Sequence, residues 1–108
     1  MRRCCIREAQ YQAKLIKKIE DLLPGCFILK NDPGYKPGVP DLIILFSYMW
    51  AMLEVKLSEE SYVRPNQVHY VRLLNSMSFA SFINPDNEEN VLYDLQCAFG
   101  LIRPPRIS

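Results

Sequence analysis

Asp41 follows Pro40 at the mouth of an apolar run, and Glu54 and Lys56 close that run in the string Leu53-Glu54-Val55-Lys56. Leu42 to Leu53 is almost wholly apolar, so if the stretch folds back as a hairpin its charged ends meet. Carboxylates on neighbouring strands about 4.8 Å apart repel. At about 5 Å and an effective dielectric near 20 the repulsion is roughly 3 kcal/mol, enough to raise one pKa unless a cation intervenes. A hard divalent ion resolves that conflict, because Mg2+ takes one or two carboxylates, keeps several waters and accepts phosphate oxygens. With such an ion the donor set is that of a metal-dependent phosphodiesterase. The ion would polarise the ester and acidify a bound water, and Lys56 would orient that water or stabilise the charge growing on the phosphate.

The spacing asks for two strands, at residues 41–46 and about 50–57, with Ser47-Tyr48-Met49 as the reversal, although so apolar a run also admits a buried helix. Strand alternation puts Glu54 and Lys56 on one face with Trp50 and Met52. Asp41 joins that face only if the loop is even or bulged. A two-residue tip would lack the favoured Gly or Asn. The expectation is therefore a four-residue tip, Ser47 to Trp50, pairing Phe46 with Ala51 and Asp41 with Lys56.

Two helices flank this hairpin. From Glu8 to Leu23 apolar residues recur at helical spacing, and Pro24-Gly25 stops the pattern. Glu8 projects near the middle of the apolar face, and Glu20 falls more than about 90° away, towards water. A carboxylate on a buried stripe must be hydrated, paired or ligated, while a first-turn acid is also favoured simply by the helix dipole. Downstream, Gln67, Tyr70, Val71 and Leu74 form one buried stripe, with Pro65 suited to the first turn. Gln67 can donate to a phosphate oxygen or hold a catalytic carboxylate or lysine. His69, the one histidine, lies off that stripe and reads as a surface residue. Tyr62, Arg64 and Arg72 could contact phosphates or stack on unpaired bases, or be ordinary surface residues.

Cys26–Lys30 reads as a short strand, and residues 31–40 form a Pro- and Gly-rich loop able to pass close to a ligand. Residues 78–83 read as another strand. A last helix then runs from Asp86 through Phe99, with Asp86 and Glu89 at capping-box spacing, and ends at Gly100.

The chain of 108 residues suits one domain, residues 1–102, followed by a short basic tail, 103–108. The net charge of +1 says little as a total. Residues 1–36, however, carry eight Lys or Arg against four Asp or Glu, and with Arg64 the lysines at 30 and 36 are the cations expected to face nucleic acid. Cys4, Cys5, Cys26 and Cys97 lack the paired short spacings of a zinc site and no secretory signal precedes them, so reduced thiols in a cytoplasmic protein are expected. No apolar run approaches the roughly 20 residues of a membrane span, which argues against membrane association.

Gly38-Val39-Pro40-Asp41-Leu42-Ile43-Ile44, then Leu53-Glu54-Val55-Lys56, then Arg64-Pro65-Asn66-Gln67 resembles the VRR-NUC family of PD-(D/E)XK nucleases, and the resemblance spans nearly the whole chain. It implies a restriction-endonuclease-like α/β fold, αβββαβα, with a mixed central sheet flanked by helices. It implies Asp41 and Glu54 as metal ligands, completed by the Val55 carbonyl, with Glu8 as the helical acid and metal ligand. Lys56 becomes the catalytic lysine and Gln67 the downstream catalytic glutamine. The implied activity is Mg2+- or Mn2+-dependent endonucleolytic hydrolysis of DNA, with no organic cofactor. Branched DNA such as Holliday junctions is the implied substrate. Similar stand-alone proteins occur in bacteriophages, which would place this one in the host cytoplasm. They pair two active sites across a homodimer, for which the apolar tip Tyr48-Met49-Trp50 offers a surface. The alternative is a catalytically silent nuclease-fold module that binds DNA or protein.

Overall fold

The computed structural model describes residues 2–32 and 34–103. The element order is α1 (Arg2–Leu22), β1 (Phe27–Lys30), β2 (Leu42–Phe46), β3 (Met49–Val55), α2 (Pro65–Met77), β4 (Phe79–Ile83) and α3 (Glu88–Ala98). This is the expected αβββαβα sequence. The four strands form one mixed sheet in the order β1-β2-β3-β4. The first three make an antiparallel meander. Helix α2 is the crossover that lets β4 lie parallel to β3.

Alternation decides which face each strand buries. Leu42 and Ile44 of β2, Ala51, Leu53 and Val55 of β3, and Ile83 of β4 are fully buried and pack with Leu15 and Ile19 of α1, Leu23 just past its end, and Val91, Leu92 and Leu95 of α3. The helical stripe read from the sequence is thus the stripe that covers this face. Tyr11 Oη donates to Glu88 Oε1 at 2.9 Å, and Lys18 pairs with the same carboxylate, tying α1 to α3. The opposite face is covered by α2 over β3 and β4, where Val71 and Ala80 are buried. Over β1 and β2 that face stays open, leaving Phe27 61%, Leu29 41% and Leu45 37% exposed.

The hairpin departs from the expected tip. Phe46 pairs with Met49, not Ala51, so the tip has two residues, Ser47 and Tyr48. Ser47 takes φ 58° there, the left-handed position that a primed turn demands and that glycine usually fills. Non-glycine residues adopt it at a cost, and the strand pairing from Leu42↔Leu53 to Phe46↔Met49 outweighs that cost. The even register survives nonetheless, and one step past Leu42↔Leu53 it sets Asp41 opposite Glu54, not Lys56. Of the expected apolar tip, Tyr48 is exposed, while Met49 and Trp50 are half-buried.

Two helix ends also differ. α1 begins at Arg2, a turn and a half before Glu8. At α3, Asp86 and Glu89 form no capping box, because Asn87 is the N-cap. Asn84 and Asn87 instead exchange bonds: Asn84 Oδ1 accepts from Asp86 N and Asn87 N, and Asn87 Oδ1 accepts from Asn84 N at 2.8 Å. The far end is as expected, since Gly100 adopts φ 76° and Leu101 N and Gly100 N donate to Gln96 O and Cys97 O. Cys26 and Cys97 are free thiols. Among the described residues no helix is long and apolar enough to cross a membrane. Of the expected tail, residues 104–108 lie outside the described residues.

Candidate active site

Where β2 begins and β3 ends, the charged residues converge. The Asp41 carboxylate accepts a hydrogen bond from Val55 N at 2.9 Å, which fixes it across the strand junction. A residue's N–H and C=O point to the same side of a strand, so the Val55 carbonyl also faces the Asp41 side. Glu54 is only 4% exposed. Its Oε2 accepts from Gln67 Nε2 at 3.0 Å and lies 3.8 Å from Lys56 Nζ.

Gln67 is the hub of this cluster. Its Oε1 accepts from Lys56 Nζ at 3.1 Å and from Arg64 N at 3.0 Å, and its amide nitrogen serves Glu54. One side chain thereby orients the carboxylate and the ammonium group. The bond to Arg64 N satisfies a free donor at the helix start, which anchors Gln67 to the first turn of α2. Lys56 Nζ also donates to Tyr62 O at 3.1 Å, and Lys56 N bonds Ile83 O at 2.8 Å, extending the β3–β4 pairing past the strand's end.

The cluster's electrostatics are those of crowded carboxylates. Burial, then the neighbouring Asp41, push the Glu54 pKa up to about 8, against the opposing pull of Lys56. Glu8, half-buried on α1, is raised in the same way, by burial first and Asp41 second, again opposed by Lys56. Its inward projection is therefore real, and Glu20 is exposed as expected. Among the described residues no three His, Cys, Asp or Glu side chains already stand at metal-ligating spacing. The oxygen donors present are two facing carboxylates, a third nearby and a strand-end carbonyl, and these fit a hard divalent ion that keeps several waters.

The remaining candidates spread around this centre. Lys36, itself exposed, has its ammonium 5.8 Å from the centre of the Tyr70 ring. Lys30 ends β1 and Arg64 caps α2, both exposed; His69 and Arg72 are exposed on the surface of α2. Three supporting groups have no signature in the sequence. Asn31 N donates to Asp41 O at 2.8 Å and its side chain donates to Pro40 O, steadying the approach to Asp41. Asn66 Nδ2 donates to Pro37 O at 3.1 Å, and the Tyr62 carbonyl holds Lys56. Gly38, at φ 95°, packs so closely on Asn66 that an added Cβ would lie 2.7 Å from its side chain. A groove of about 510 Å³ between α1 and α3, lined by Lys18 and Glu88, is separate from this cluster.

No protein-family model matches the sequence, and no curated protein matches it significantly. Among solved structures, a VRR_NUC domain protein superimposes with a TM-score of 0.62 at 21% sequence identity, covering 87% of this chain and 88% of that one. The chain has the fold of that protein, a restriction-endonuclease-like α/β arrangement.

Proposed function

We propose that this protein is a VRR-NUC-type endonuclease that hydrolyses DNA phosphodiester bonds with Mg2+ or Mn2+. The observation that carries the reading is the network joining Glu54, Gln67 and Lys56 at the end of β3, with Asp41 held beside it by the Val55 N–H and set opposite Glu54 in the register. Asp41 and Glu54, with the Val55 carbonyl and Glu8, would hold the metal ion, whose chemistry is to polarise the phosphodiester and acidify a bound water. Lys56, held by Gln67 and the Tyr62 carbonyl, presents its charge towards the same space and stabilises negative charge developing on the phosphate. Gln67 keeps Glu54 and Lys56 in register, a positioning role. Lys30, Lys36 and Arg64 supply cations for the DNA backbone.

The finer reading, cleavage of branched DNA by a homodimer, rests on the sequence resemblance and on the open apolar face of β1 and β2. That face is a broader surface for a second copy than the hairpin tip. Sedimentation of a strictly monomeric protein at micromolar concentration would remove the dimeric version.

The test is incubation with four-way junction, flap, single-stranded and duplex DNA in Mg2+, Mn2+ or EDTA, beside Glu54→Ala. Metal-dependent cleavage lost in the variant is expected. Binding without cleavage in every metal would favour the silent module, and cleavage persisting in Glu54→Ala would place the chemistry elsewhere.

A further inference from the structure

Two large aromatic side chains project from the loops that border the catalytic cluster. Tyr35 is 88% exposed and Tyr62 is 74% exposed. Neither lies on a floppy arm. The Tyr62 carbonyl receives Lys56 Nζ at 3.1 Å, so the residue that carries the ring is fixed directly beside the Lys56 ammonium. Its loop is braced by Ser61 N to Ser58 O and Ser58 N to Ser61 Oγ, both at 3.2 Å.

The Tyr35 loop is pinned on both sides of the ring. On one side Asn31 N bonds Asp41 O, and Asp32 accepts from Gly34 N and Tyr35 N at 2.8 and 3.2 Å. On the other side Pro37 O accepts from Asn66, and Lys36 sits over Tyr70. Asn66 precedes Gln67, so both loops are fastened to the first turn of α2, one through Lys56 and Gln67 and the other through Asn66. Beside Tyr35 lies an open groove of about 360 Å³, lined also by Asn31, Asp32, Lys36 and Val39. That volume is at the small end of the range of ligand pockets.

Exposed tyrosines are platforms on which unpaired bases stack, and every base offers a π-face to them. We propose that Tyr35 and Tyr62 are base-stacking sites that hold an unpaired stretch of DNA across the carboxylate–lysine cluster. This deepens the nuclease reading and rests on it for the choice of DNA as ligand. A blunt duplex keeps its bases inside the helix and gains nothing from either ring. The protein therefore prefers substrates with an unpaired strand at the cut site.

Tyr48 provides an internal control. It is 90% exposed but sits at the hairpin tip, about 20 Å from Asp41 at the strand rise per residue.

The experiment is fluorescence anisotropy of a labelled single-stranded oligonucleotide and of a labelled blunt duplex, in EDTA so that no cleavage intervenes. Tyr35→Ala and Tyr62→Ala should each weaken single-strand binding by about 5- to 150-fold. Tyr35→Phe, Tyr62→Phe and Tyr48→Ala should bind as the unaltered protein does, and duplex binding should not change. Alanine variants that bind the single strand normally would overturn the proposal, and so would an equal loss on the duplex or no single-strand binding by the unaltered protein. Tyrosine-dependent binding in a protein that never cleaves would sink the nuclease reading and leave this proposal standing. Metal-dependent cleavage with tyrosine-independent binding would do the reverse.

Discussion

In metal-free solution Glu54→Gln should flatten the pH dependence of folding stability and raise stability at high pH. Glu54 is 4% exposed and faces Asp41, and burial followed by that neighbour lifts its pKa to about 8. In the unfolded chain a glutamate titrates near 4.3. Between those values the folded protein keeps a proton that the unfolded chain has released, so stability falls as pH rises, by at most about 1.4 kcal/mol per pH unit for one proton. The loss is absent below the unfolded value and complete above about pH 8. The window from pH 5 to the folded value of about 8 spans three pH units, so the loss between pH 5 and pH 9 is at most about 4 kcal/mol, and about 2 to 4 kcal/mol once relaxation around the buried carboxylate is allowed for.

A glutamine at position 54 cannot ionise, still accepts from Gln67 Nε2, and gains a donor for Asp41. Urea denaturation in EDTA at intervals from pH 5 to pH 9 measures the difference, with titrations common to both proteins cancelling between them. The unaltered protein should lose about 2 to 4 kcal/mol relative to the variant across that range. Mg2+ added at pH 9 should restore the unaltered protein's stability, because binding to the folded state adds about 2.7 kcal/mol at a hundredfold excess over Kd. It should do much less for the variant. Parallel pH profiles, or a relative gain for the unaltered protein at pH 9, would refute the reasoning.

Gln67→Ala should lower turnover by about 10- to 100-fold, as loss of a group that orients first-contact residues does. Urea midpoints should show stability changed by only about 1 kcal/mol, and unchanged turnover would remove Gln67 from the site. Gly38→Ala meets both a φ of 95° and a contact 2.7 Å from Asn66. It should cost about 1 to 3 kcal/mol, and a thermal melt should show a drop of at least about 4 °C. Leu53→Ala, at a position with no exposure, should lose about 2 to 5 kcal/mol in urea denaturation.

Much of this site was legible because its residues obey simple periodicities. The 100° step placed Glu8 inward and Glu20 outward, and both are so placed. The i, i+3, i+4 stripe found Gln67, and its position at the head of α2 is what brings it to Glu54 and Lys56. Parity arguments required an even register for Asp41, and the register is even. The tip was misjudged because turn preference is local, whereas register is set by five strand pairs at once, and these hold Ser47 in a conformation its residue type disfavours. The capping box at Asp86 and Glu89 failed for a similar reason. Asn84 is 4% exposed just past β4, and its side-chain Oδ1 captures the Asp86 and Asn87 amide hydrogens. Asn31, Asn66 and the Tyr62 carbonyl could not be read in advance, because each acts through contacts across loops that carry no periodicity.

The central claim is that Asp41, Glu54 and Lys56 form one metal-dependent hydrolytic centre. The most direct measurement is single-turnover cleavage of an end-labelled flap DNA by the unaltered protein, Asp41→Asn and Lys56→Met, in Mg2+ and in EDTA, with circular dichroism confirming that each variant folds. The account predicts cleavage by the unaltered protein in Mg2+ alone, with both folded variants at background. Cleavage in EDTA, or at the unaltered rate by either variant, would contradict it.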